Sequence, residues 1–202
     1  TGMNRNFLHT GFAAVAAIVS VATPAVAQFS DSYNFLKAVK DRDGAKATDY
    51  ISRPGSVTID TRDITTGEGA LHLVTRDRDT VWLNFLLSRG AKPDLKDKQG
   101  NTPLMVAAQI GFVAGAELLL ARKANVDLAN SGGETPLIRA VQRRDAAMVR
   151  LLLTNGANPK KPDTVAGLTA RDYASQDRRG AVILKIIDEA KPKPAAGVAG
   201  PK

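Results

Sequence analysis

The chain has no cysteine. No disulfide framework, thiolate nucleophile or Cys/His zinc set can be built from it. Histidine is almost as scarce, with His9 and His72 the only two among 202 residues. A nucleophile activated by an imidazole base has little to draw on. A long apolar run is missing too. The longest, Phe12 to Val21, is broken only by Ser20 and is about ten residues, whereas crossing a bilayer takes about 20. Gly67-Glu68-Gly69 starts like a phosphate-binding glycine string, but His72 stands where the third glycine is needed. The acidic residues Asp41, Asp43, Asp77 and Asp79 fall in turns or on exposed faces, and nothing buries them together as a paired-carboxylate site. The chemistry of catalysis is thus poorly supplied: no catalytic residue, cofactor site or metal site is expected.

What is present at the N-terminus reads as an export signal. Asn4 and Arg5 form a short positive region, the apolar run follows, and Pro24-Ala25-Val26-Ala27 offers a small-x-small cleavage site. Residues 1–27 are expected to be removed, cutting between Ala27 and Gln28. A cysteine-free protein behind a short Ala-rich signal points to the periplasm of a bacterium, with secretion beyond it as the other destination. At the other end, residues 191–202 alternate Lys and Pro and then run through small residues, a composition that builds no core.

Between these ends the sequence repeats itself. Thr102-Pro103-Leu104 returns as Thr135-Pro136-Leu137, 33 residues on, and Leu118-Leu119-Leu120 returns at the same interval as Leu151-Leu152-Leu153. Phe85-Leu86-Leu87 precedes the first Leu triplet by one more period, and Gly67 to His72 aligns with Gly100 to Met105. A period of this length marks stacked units, each burying its apolar face against the next. Thr102 and Thr135 are placed to cap helices, Pro103 and Pro136 fit the first helical position, and Leu104 and Leu137 point inward. Gly90 and Gly156 suit left-handed helix ends.

The strings from Gly100 (GNTPLMVAA), from Gly133 (GETPLIRAV) and from Met148 (MVRLLLTNGANP), with His72, resemble the ankyrin repeat family. The resemblance implies an all-α solenoid of helix-turn-helix units. About four repeats are expected: 67–99, 100–132, 133–166 and a degraded C-terminal unit at 167–190. A divergent capping helix pair with a loop occupies 28–66. Its first helix is expected to open near Asp31 or Ser32 and break at Asp41-Arg42-Asp43-Gly44. In the loop, Pro54-Gly55 turns the chain and Ser56 to Ile59 alternate with β-type residues. His72 takes the place of a histidine that bonds locally in this family.

Departures from the pattern carry expectations of their own. Lys123 stands where a glycine would close the helix. Gly69-Ala70 replaces Thr-Pro and should weaken that helix start. Gly115 occupies the position equivalent to Trp82 one period earlier, which suggests that it makes room for the indole.

The family resemblance places partner binding on the concave face, formed by finger tips and the ends of the first helices. Carried over position by position, that face comprises Arg76, Arg78, Lys96, Lys98, Gln99, Asn101, Gln109, Ile110, Ser131, Glu134, Gln142, Arg143 and Arg144. The expected activity is non-enzymatic binding of another protein, with no small-molecule substrate and nucleic acid disfavoured by export. The alternative is an anionic surface or polymer, drawn by the net charge of +8 and the Lys-rich tail.

Overall fold

The computed structural model describes residues 24–190 apart from 57, with side chains from 31 onward. Arg5, the apolar run 12–21 and the tail 191–202 lie outside the described residues. Ten α-helices are described: α1 Pro24–Lys40, α2 Gly44–Ser52, α3 Ala70–Arg76, α4 Thr80–Ser88, α5 Pro103–Ile110, α6 Val113–Ala121, α7 Pro136–Gln142, α8 Ala146–Thr154, α9 Ala170–Gln176 and α10 Ala181–Glu189. They form two rows. The inner row α1, α3, α5, α7, α9 stacks in chain order, and the outer row is α4, α6, α8, α10. α2 packs on α1 and on a short 3-10 turn at Thr58–Asp60. The fold is the all-α repeat solenoid that the 33-residue period demands.

Local chemistry explains the helix starts. The Thr102 hydroxyl accepts from the Met105 N–H at 3.2 Å, and that of Thr135 from the Ile138 N–H at 3.3 Å. Each satisfies one orphan donor of the first turn, and the following Pro lacks the N–H that would otherwise need a partner. Thr169 does the same for α9, and the Asp172 carboxylate returns a bond to the Thr169 N–H at 2.9 Å. In the second helices an aspartate is the cap. Asp43, Asp79 and Asp145 accept from the N–H groups of Lys46, Trp82 and Met148. α6 follows Phe112 and α10 follows Gly180, and neither residue offers a capping side chain.

The core is a continuous strip between the rows. Leu104 and Leu137 are fully buried, as are Leu86, Leu119 and Leu152, the residues at the centre of each apolar triplet. Leu118, Leu120, Leu151 and Leu153 beside them are half-buried, since successive helical residues face different directions, whereas Leu87 is also buried. Gly90 and Gly156 have φ of 88° and 89°, and Lys123 holds the same left-handed region at 63°.

Three expectations need revision. α1 begins at Pro24 rather than near Asp31, so the expected cut after Ala27 falls within its first turns. Among the described residues, Ser56, Thr58 and Ile59 contribute no strand. The chain there tightens into the 3-10 turn, fastened by a Ser56 hydroxyl bond to the Thr58 side chain at 2.8 Å, and the nearby antiparallel pairing is a single bridge between Arg62 and Gly69. Gly115 makes room for Phe112, not for Trp82. A Cβ at Gly115 would overlap the Phe112 ring, which folds back over the first turn of its own helix. Trp82 packs edge-on against Phe85, with ring centroids 5.4 Å apart.

Candidate interaction surface

The loops that enter the inner helices form a row of fingers. Each is built around one acidic or amide side chain: Asp63, Asp97, Asn130 or Asp163. These side chains accept from the backbone N–H groups two to four residues ahead, as Asp97 does from Gln99 and Asn101 and Asn130 from Gly132 and Glu134. The backbone closes the same turn, for example Asp97 N–H to Asn101 C=O at 2.9 Å. The fingers are then joined to one another. Lys98 donates its N–H to Thr66 C=O, Ser131 to Gln99 C=O and Thr164 to Gly132 C=O, at 3.0, 2.9 and 3.0 Å. This close approach needs glycine at Gly100, where φ is 80° and a Cβ would sit 2.7 Å from the Ser131 nitrogen.

A second set of bonds ties the base of each finger to the next repeat. Asp60, Asp94 and Asp127 accept from the backbone N–H of Lys92, Asn125 and Asn158, at 2.9, 2.9 and 3.0 Å. A third set joins each finger to the far end of its own inner helix. Glu68 binds Arg76, Asn101 binds Gln109 at 3.4 Å, and Glu134 binds Gln142 at 3.4 Å. The expected surface residues Arg76, Asn101, Gln109, Glu134 and Gln142 are thus brought together as pairs within each repeat.

Asn101 is more knot than surface. It is 5% exposed. Its side-chain amide donates to Asp97 and Gln99, its side-chain oxygen accepts from Gln109 and Asn130, and its backbone C=O accepts from His72. His72 is fully buried. Its Nδ1 accepts from the Gly69 N–H at 3.2 Å, so Nε2 carries the proton donated to Asn101 C=O at 2.9 Å. Burial pushes its pKa below the ordinary 6.5, the bond to Asn101 opposing the shift. With both nitrogens engaged in the interior, this imidazole is unavailable to an outside substrate.

The remaining expected residues divide into two groups. Arg78 and Arg144 occupy left-handed positions between helices, with φ of 56° and 59°, and reach forward one repeat. Arg78 donates to the backbone carbonyls of Ile110 and Gly111, and Arg144 binds the Asp177 carboxylate through two bonds. The Arg144 bond holds Asp177 below the usual carboxylate range. Lys96 likewise spends its ammonium on Ala129 C=O at 2.7 Å. The half-buried Ile110 packs on the core. Gln99, exposed at the tip, accepts from the Asn101 amide at 3.1 Å. In contrast, the side chains of Lys98, Ser131 and Arg143 are exposed and make no hydrogen bond or ion pair among the described residues.

Sequence reasoning missed Arg139, Tyr173 and Asp163. Arg139 binds Glu134 at 2.6 Å. Tyr173 donates to Asp163 at 2.7 Å, which with the finger N–H groups lowers the Asp163 pKa and raises that of Tyr173. Asp163 could have been found, since it lies one period beyond Asn130 and two beyond Asp97. Arg139 and Tyr173 left no such echo. Among the described residues there is no group of three or more metal-ligating side chains, and no helix is long and apolar enough to cross a membrane.

Two stacked rows of short helices, joined by a ladder of fingers, define a helical repeat protein with a preformed, side-chain-decorated edge. Sequence comparison gives the family. The model for ankyrin repeats (three copies) matches residues 37–130 and 71–163, more than half of the chain, and the protein belongs to the ankyrin repeat family. Ankyrin repeats mark a protein–protein interaction module. Over 85 residues, 42% of its length, the chain is 36% identical to the SH3 and multiple ankyrin repeat domains protein 2 of Homo sapiens. It spans 4% of that protein.

Proposed function

We propose that this protein is a non-enzymatic binding scaffold of a bacterial periplasm. It holds a partner protein across its finger tips and the ends of its inner helices. The observation that carries the binding reading is the contrast at the tips. Their backbone is fixed by the ladder at Lys98, Ser131 and Thr164, while the side chains of Lys98 and Ser131, and of Arg143 at the end of α7, stay uncommitted. Such an edge presents side chains at little ordering cost. Export is supported by the composition of residues 1–27.

Affinity capture from periplasmic extract, with cross-linking and mass spectrometry, tests both parts. The recovered chain should begin at Gln28 and cross-link to its partner through Lys98. Lys98→Glu with Arg143→Glu should lower recovery several-fold without changing the melting temperature, and unchanged recovery refutes the surface. Attraction by net charge alone is the weaker reading, because Arg42, Arg53, Arg76, Arg139, Arg144 and Arg171 are each paired with a carboxylate. Loss of all binding by about 0.3 M salt would favour it.

A further inference from the structure

The finger ladder has a direction. Lys98, Ser131 and Thr164 each donate to the finger before them. One step back in the same register, beside Asp63, the donor is the N–H of Ile64, and it has no acceptor among the described residues. Among the described residues no finger stands before it. α1 runs 17 residues back to Pro24, whereas α3, α5 and α7 are 7, 8 and 7 residues long and each is entered from a loop.

The place of the missing finger is a cleft of about 450 Å³ between α1 and the first finger. Ile64 and Tyr33 line it and are 80% and 69% exposed. Most polar groups around it are committed. Lys37 binds Asp41 at 2.6 Å, Arg62 donates to Lys96 C=O at 3.1 Å, and the Asp63 carboxylate serves its own turn. Lys40 makes no hydrogen bond or ion pair among the described residues, and its charge acts only at longer range on Asp63. What remains open is a backbone donor, one ammonium, the Ile64 side chain, the Tyr33 ring with its hydroxyl, and the hydroxyls of Ser32 and Thr61.

We infer that this gap takes an extended segment of the partner protein in place of the missing finger. Its backbone C=O accepts from Ile64, an apolar side chain lies against Ile64 and Tyr33, and an Asp or Glu carboxylate meets Lys40. The inference rests on the reading of the chain as a partner-binding scaffold and specifies the end used and the chemistry recognised. A second copy of this chain fits less well. Stacked on α1, its last finger would lie beside the α1 extension, one repeat away from Ile64.

The test is titration of the ¹⁵N-labelled full chain with the hexapeptide acetyl-Gly-Asp-Val-Asp-Leu-Asp-amide at millimolar concentration, and with its Lys-for-Asp counterpart. The acidic peptide should displace the Ile64 amide resonance and the basic one should not. Lys40→Glu should weaken the acidic peptide about two- to fivefold, the range of an exposed ion pair. No displacement at Ile64 overturns the inference. Displacement confined to Gln109, Gln142 and Arg143 overturns it while leaving the scaffold reading standing, and silence at every site removes both. An Ile64 amide already protected from exchange in the peptide-free chain starting at Gln28 also overturns it, because the protein itself would then fill the gap.

Discussion

Helix α3 and helices α5 and α7 start at the same point of the repeat by different means. α5 and α7 carry the Thr-Pro device, in which a hydroxyl caps the first turn from within four residues of sequence. α3 starts at Gly69-Ala70 and has no hydroxyl to offer. Its Gly69 N–H is satisfied by His72, whose other nitrogen reaches Asn101 in the next repeat. The weak local start is therefore offset by a bond between repeats. The Thr caps stabilise a helix, whereas the histidine couples two units.

That difference sets the order of expected effects. His72→Ala should be the most damaging. It leaves a cavity and an unpaired Gly69 N–H, and removes one of the two bonds to Asn101 C=O, and about 3 kcal/mol is expected from denaturant unfolding. The same histidine makes stability depend on pH. Its folded-state pKa lies below 6.5, so the folded protein disfavours the proton that the unfolded chain accepts. The contribution is full above pH 6.5 and falls as pH drops from there toward the folded value. Asp97 and Arg62 face the ring with opposite effects on its charge. In His72→Gln this segment of the pH–stability curve should flatten, and an unchanged curve would assign it to carboxylates.

Gly115→Leu comes next, at about 2 kcal/mol from overpacking. In a Phe112→Asp background most of that cost should vanish, because the ring that fills the site is gone. An additive double-mutant cycle would return the site to Trp82. Thr102→Ala should cost about 1 kcal/mol, the usual value of a cap. If it costs as much as His72→Ala, the distinction between the two kinds of helix start fails. The smallest effect has the opposite sign. Lys123→Gly should raise stability by about 1 kcal/mol, since Lys123 holds φ of 63° that glycine adopts freely. Thermal melting checks it.

Much of this architecture was legible because its determinants are local and periodic. A Thr-Pro pair caps wherever it sits, and Leu86, Leu119 and Leu152 are buried by the same geometry each time. The stacking argument failed at Gly115. It assumed that a small residue serves the equivalent position of a neighbour, and the ring in fact comes from three residues earlier in the same helix. The surface was legible as a list and not as a network. Side-chain identities reveal that Arg78 and Arg144 are basic, but only the left-handed turns that hold them aim both at the following repeat. The finger ladder was hidden altogether, being made of backbone groups that every residue carries.

The bonds from Asp60, Asp94 and Asp127 to the next repeat's backbone have a mechanical meaning. Like the finger ladder, they link only nearest neighbours, and they lie along the axis of the stack. In a chain pulled from its two ends they would carry the same force in series, and the weakest would give way first. Each unit released would add about 120 Å of contour, the extended length of one 33-residue period. The molecule is in this sense an extensible tether whose links give way in turn, while the units still folded keep their surface.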